Sequence, residues 1–237
     1  MRILVINPNS DPLMTAAIRD ELLRVKRPDT EVEVVNAAGA PIAIESALDE
    51  ALCTPGTLDH VRTAEERGMD AVVIACFSDP ALDAARELTR LPVLGIQEAA
   101  LHLAAQLGEK VSILSTGSAN APSRHVETLR GKLGPQFGSC RTLGVSVSDT
   151  VRDRERVMQR LVETGRRAMQ EDGARVFVLG CAGLGDLAPQ LAATLGAPVV
   201  NPNAAALKTA EAIADLGLAP AAPLTHHLPD RAPVAVG

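Results

Sequence analysis

The chain has 237 residues and a formal net charge of −6, with 23 Lys and Arg against 29 Asp and Glu. It contains no Trp or Tyr and only 3 Phe, so it lacks the basic stripe and stacking platforms of a nucleic-acid binder. Hydrophobic residues make up 46% of the sequence, yet no apolar run reaches the ~20 residues of a membrane helix; no membrane is expected, and cytoplasmic residence is the default.

Residues 2–7 read as a first strand, too short in its apolar part for a signal peptide. Asp11 is placed to cap a helix over 12–25 with Pro12 at its first position, and Met14, Ile18, Leu22 and Val25 recur at helical spacing. Residues 31–35 alternate as a strand and 37–41 form the loop after it. Helices follow over 45–52 and 58–67, with a break at Pro55-Gly56. The apolar run 70–75 is a buried strand that ends at Cys76, and Asp79-Pro80 repeats the cap-plus-proline device ahead of a helix to Thr89. A strand over 91–96 and a helix over 97–107 close this half.

The pattern then restarts. Residues 110–117 match the opening strand and loop, a helix spans 122–133, a strand 139–145, and a long charged helix 151–172 whose arginines read as a solvated face. Strand 175–180 ends at Cys181, Gly183-Leu184-Gly185 turns, and Asp186 is placed to cap a helix over 187–195. A strand over 197–200 and a helix over 204–216 precede a proline-rich tail from 219.

Aligning Cys76 with Cys181 brings Leu91-Pro92-Val93 beside Ala197-Pro198-Val199, and Gln97-Glu98-Ala99-Ala100 beside Asn203-Ala204-Ala205-Ala206. A repeat this long predicts a duplicated α/β unit rather than a solenoid. The expected architecture is two pseudo-symmetric parallel-sheet α/β lobes with the active site in the cleft between them. The first lobe covers 1–97, completed by 205–218 if the last helix returns to it; the second covers 98–204; the tail covers 219–237.

Ligands of open α/β sheets bind beyond the carboxyl ends of strands, where both cysteines fall. Backbone N–H groups and a helix start after each would lower a thiol pKa from about 8.5 toward neutrality. Two equivalent acid–base groups on opposite sides of a substrate suit inversion at a carbon: a thiolate removes a proton from one face and a thiol returns one to the other. Oriented amides would stabilise the enolate between them, and no cofactor is needed where an adjacent imide acidifies the carbon. Cys53 and Cys140 have no companion motif and read as structural, while His60, His102 and His125 fall in helical segments and read as surface or capping residues; His226-His227 has no second ligand pair, so no metal is expected, and no Gly-x-Gly-x-x-Gly follows the first strand.

The stretches Arg2-Ile3-Leu4-Val5-Ile6-Asn7-Pro8-Asn9-Ser10, Ala75-Cys76-Phe77-Ser78-Asp79-Pro80, Pro92-Val93-Leu94-Gly95-Ile96-Gln97-Glu98-Ala99 and Leu179-Gly180-Cys181-Ala182-Gly183 resemble the hydantoin racemases, within the aspartate/glutamate/hydantoin racemase superfamily. The resemblance covers most of 1–216. It implies cofactor-independent racemisation of 5-substituted hydantoins with Cys76 and Cys181 as the two bases. It also implies substrate contacts from Asn9, Ser78, Thr116 and Gly117, backbone donors at Ala182 and Gly183, and a side-chain pocket at Phe77 and Pro41. The partner expected is a small hydantoin-like ring, with a homo-oligomer as the default assembly.

Amino-acid racemases of the superfamily carry Asn-Thr after each catalytic Cys; here Phe77-Ser78 and Ala182-Gly183 stand there, favouring a neutral ring. Val200-Asn201-Pro202-Asn203 and Gly39-Ala40-Pro41 depart from the hydantoin-racemase pattern. Allantoin racemase, amino-acid racemase, and a decarboxylase or maleate-isomerase-like enzyme remain alternatives on the same scaffold. A non-catalytic binding module with unreactive buried thiols is the alternative from another class.

Overall fold

The computed structural model describes residues 1–117 and 125–221. The helix start expected at Pro122 and the tail beyond 221, with His226-His227, lie outside the described residues. Among the described residues, eight parallel strands form two sheets. The first contains β1 (Arg2–Asn7), β2 (Glu31–Asn36), β3 (Ala71–Ile74) and β4 (Val93–Gly95), in the order β2-β1-β3-β4. The second contains β5 (Val111–Ser115), β6 (Phe137–Thr142), β7 (Val176–Gly180) and β8 (Val199–Val200), in the order β6-β5-β7-β8. The second order is the first repeated, as the sequence alignment requires.

The helices are α1 (Pro12–Val25), α2 (Ala47–Arg62), α3 (Leu82–Leu88), α4 (Ile96–Leu107), α5 (Val126–Leu133), α6 (Asp149–Arg152), α7 (Arg154–Glu171), α8 (Ala188–Leu195) and α9 (Pro202–Asp215). Strand alternation sends successive side chains to opposite sheet faces. Ile3, Val5, Ala71, Val73, Val111, Ile113, Val176 and Val178 turn inward to a core that also takes Met14 and Ile18 of α1, Ile96 and Leu101 of α4, and Leu207 of α9. Leu4, Ile6, Val72 and Ile74 face outward under α2 and α3. Phe177 and Leu179 do the same under α7 and α8. The two sheets thus share one central layer of helices.

That layer is crossed. Helix α4 follows β4 of the first sheet but packs on β7 and β8 of the second, and α9 follows β8 yet packs on β3 and β4; the two helices also pack on each other.

Several local expectations give way to longer-range contacts. Residues 47–62 form one helix through Pro55-Gly56, and Gly56 lies against Ala38, where a Cβ would sit 2.8 Å from its carbonyl oxygen. The charged helix breaks at Asp153, which accepts from the Arg156 amide and starts α7 anew. Its arginines are not merely solvated: Arg152 reaches Asp11 at 2.7 Å, and Arg154 reaches Gly183 O at 2.7 Å and Asp186. Asp186 therefore pairs with Arg154 inside the 3-10 turn Ala182–Leu187, and α8 has no side-chain cap.

Asp79 departs furthest from expectation. Its φ of 47° and Ala81's of 60° turn the chain so that α3 starts at Leu82 without a side-chain cap. The Asp79 carboxylate instead accepts from the amides of Gln97 and Glu98, both at 2.9 Å, and caps α4. Residue 95 must be glycine for this: a Cβ there would lie 2.2 Å from Asp79 Cγ.

Candidate active site

The carboxyl ends of β1, β3, β5 and β7 surround a cavity of about 370 Å³. Cys76 and Cys181 both line it, as do Asn9, Phe77, Ser78, Thr116, Gly117 and Ala182 among the residues expected from sequence. Pro41 and Gly183 stand behind this wall. The Pro41 carbonyl accepts from the Ser10 amide at 3.0 Å and braces the loop after β1. Gly183 is packed so that a Cβ would meet Thr150 Oγ1 at 2.2 Å, and its own amide favours the Cys181 thiolate.

Cys76 follows the buried end of β3, where Ala75 N donates to Ile6 O at 2.8 Å, and Asp79 N closes a tight turn onto the Cys76 carbonyl at 2.9 Å. Its sulfur lies 3.5 Å from Ser78 Oγ, and the Ser78 hydroxyl and backbone amide favour its thiolate. Cys181 occupies the matching place after β7, with Leu184 N turning back onto its carbonyl at 3.1 Å.

The expectation of thiols lowered toward neutrality is overturned. Burial pushes both thiols up, Cys181 to about 12, against the amide donors that favour the thiolates. Neither thiol has a capped helix start beneath it, and for Cys76 the Asp79 and Glu50 carboxylates add to the rise. Ionised Cys76 also raises Cys181. Two acids coupled in this way part with their protons in sequence, so the pair passes through a state with one thiolate and one thiol.

Asn9 is oriented by its neighbours. Its Oδ1 accepts from Asn7 Nδ2 at 2.7 Å and from the Asp11 amide at 3.0 Å, leaving the Nδ2 protons to donate to the cavity. Asn7 also donates to Thr15 Oγ1 at 2.9 Å, which holds the amide pair in place.

The sequence reading missed several lining residues: Ile44, Glu45, His125, Leu129 and Val147. Glu45 Oε1 accepts from the Val147 amide at 2.6 Å, and His125, expected on the surface, sits 3.6 Å from Glu50. Both contacts join the two halves of the sequence across the cavity mouth, and no local pattern announces them. Among the described residues no group of three or more His, Cys, Asp or Glu is placed to hold a metal ion, and no helix is long and apolar enough to cross a membrane.

The family model for Asp/Glu/Hydantoin racemase matches residues 3–210. A hydantoin racemase of Pseudomonas sp. (strain NS671) is 37% identical over 98% of this chain and 93% of its own. Among solved structures, allantoin racemase from Klebsiella pneumoniae is 36% identical, with a TM-score of 0.84 over 93% of this chain and 90% of that one. Allantoin racemase from Pseudomonas fluorescens has a TM-score of 0.88 at 28% identity, covering 98% of this chain and 99% of that one.

Proposed function

The chain belongs to the Asp/Glu/hydantoin racemase family, and from that premise we propose that it racemises 5-substituted hydantoins by moving a proton at C5 between Cys76 and Cys181. The observation that carries this reading is the pair of thiols on one cavity, each at the end of an equivalent strand and each met by one backbone amide.

With the ring between the sulfurs, the Cys76 thiolate takes the C5 proton. The C–H bond breaks, an S–H bond forms, and the electron pair moves into the C4 carbonyl to give an enolate. The Cys181 S–H then protonates C5 from the opposite face. The pair is left as Cys76 thiol and Cys181 thiolate, ready for the other enantiomer. The C5 proton is acidified by the adjacent imide, so the two thiols carry the whole proton inventory. Asn9 Nδ2, held outward by Asn7 and Asp11, supplies a donor for the developing oxyanion. Phe77, Ser78, Thr116, Gly117 and Ala182 border the ring, and Ile44, Leu129 and Val147 give its substituent an apolar wall.

Allantoin is a second reading, favoured by Glu45 and His125 on the same cavity, which suit a polar ureido substituent.

The test is exchange at C5 in heavy water, followed by NMR from each pure enantiomer of a substituted hydantoin and of allantoin. The wild type exchanges and racemises both enantiomers of its substrate. Cys76→Ser and Cys181→Ser each abolish racemisation and retain exchange with at most one enantiomer, opposite for the two variants. Full racemisation by either variant refutes the two-thiol mechanism.

A further inference from the structure

Each thiol is met by an N–H whose own peptide is held from behind by a side-chain amide. Gln97 is the second residue of α4 and Asn203 the second of α9, and the sequence repeat superposes them. Gln97 Nε2 donates to the Phe77 carbonyl at 2.5 Å, and Asn203 Nδ2 donates to the Ala182 carbonyl at 2.8 Å. The next amide along each chain, Ser78 or Gly183, is the one that favours the thiolate of Cys76 or Cys181. The C=O and N–H of a trans peptide point opposite ways from one rigid plane, and the described residues contain no cis peptide. Fixing the carbonyl therefore aims the N–H.

Both braces are buried, Gln97 at 2% exposure and Asn203 at 1%, and each is anchored in turn. Lys132 Nζ donates to Gln97 Oε1 at 2.7 Å, which fixes the amide so that its nitrogen faces Phe77. Asn203 Nδ2 also reaches Glu21 Oε2 at 3.1 Å, whose carboxylate takes Asn201 at 2.7 Å.

We propose that Gln97 and Asn203 are paired positioning residues, Gln97 orienting the Ser78 amide toward Cys76 and Asn203 orienting the Gly183 amide toward Cys181. The proposal rests on the reading of these thiols as an acid–base pair, and it assigns a separate support to each face of the substrate. The crossed packing adds a consequence: Gln97 belongs to the helix seated on the second sheet and Asn203 to the helix seated on the first, so each thiol is braced from the helix layer shared by both halves.

The test reads the thiols without any substrate. Iodoacetamide alkylation is followed against pH by peptide mass spectrometry, with Cys76 measured in a Cys181→Ser background and Cys181 in a Cys76→Ser background. Glu50, Asp79 and Cys53 bear on Cys76, Glu45 bears on Cys181, and His125 lines the same cavity; all stay unchanged throughout. Gln97→Met moves the Cys76 profile up by about one pH unit, roughly a tenfold loss of thiolate at fixed pH, and leaves Cys181 within about twofold. Asn203→Leu does the reverse. Gln97→Ala and Asn203→Ala remove the donor without adding charge, and give the same crossed pattern should the larger apolar replacement not fold. A replacement that moves both profiles together, or neither, overturns the proposal. The crossed pattern with no C5 exchange on any hydantoin upholds the braces and rejects the substrate reading instead.

Discussion

Glu21 offers a sharp test of how burial governs this molecule. The side chain is 4% exposed, and Gly185 lies so close that a Cβ there would sit 2.4 Å from its Oε2. Burial, reinforced by the nearby Asp186, outweighs the Asn201 and Asn203 donors and raises the carboxyl from 4.5 to about 7. Between those two values the folded chain keeps a proton that the unfolded chain has lost. Folding stability is therefore greatest below the lower value and falls as pH rises through the upper one, by up to ~1.4 kcal/mol per pH unit. Across the interval from 4.5 to about 7 the loss from this single group comes to about 3 kcal/mol.

Glu21→Gln removes the titration and keeps the volume. Urea unfolding followed by circular dichroism, the natural probe for a chain with no Trp or Tyr, gives stability at each pH by linear extrapolation. Asp79, raised by burial to about 6, titrates in the same direction over an overlapping range, so the quantity to read is the difference between the two proteins. Between about pH 4.5 and 8 the variant should lose about 3 kcal/mol less than the wild type. Parallel curves for the two proteins would refute the assignment of this titration to Glu21.

Gly95→Ala drives a methyl into the Asp79 carboxylate and takes away both of its bonds to the start of α4. A loss of at least about 2 kcal/mol follows, read as a fall in Tm of roughly 4–8 °C; an unchanged Tm would contradict the cap. Cys53 is fully buried in α2, donates to Glu50 O at 3.2 Å and is pushed by burial to about 12. Cys53→Ala should cost about 1 kcal/mol in denaturant unfolding while C5 exchange of both enantiomers stays within about twofold, and loss of exchange with either enantiomer would mean that this thiol takes part in the chemistry.

Strand positions, the duplication and the two terminal cysteines were legible because they are local: buried parallel strands read as unbroken apolar runs, and the repeat needs only spacing. Asp11-Pro12 and Asp79-Pro80 show where legibility ends. The two dipeptides look alike, and Asp11 does cap α1 by accepting from Leu13 N. Asp79 instead takes a positive φ and caps a helix that begins 17 residues later, because Gly95 leaves room for its carboxylate beside the end of β4. Gln97 and Asn203 were visible as partners in the repeat, but their meaning depends on carbonyls across the sheet ends. Glu45 and His125 reach the cavity only through contacts between sequence halves. The raised thiols follow from burial, a property of the assembled core that spacing cannot report.

The crossed central helices bear on how such a chain can be divided. A polypeptide of residues 1–107 would carry a sheet whose inner face keeps α1 but lacks the helix that packs on β3 and β4, and a terminal helix that packs on the other sheet. Two copies could satisfy each other by trading that helix, the reciprocal exchange seen in domain-swapped dimers, and joining them end to end yields the present topology. A strict dimer of that kind would offer both faces of a planar intermediate the same surroundings. Fusion lifts that constraint: Phe77-Ser78 now opposes Ala182-Gly183, and a glutamine brace tied to a lysine opposes an asparagine brace tied to a carboxylate. On the two-thiol proposal, left- and right-handed substrates would be met by independently adjustable walls within one polypeptide.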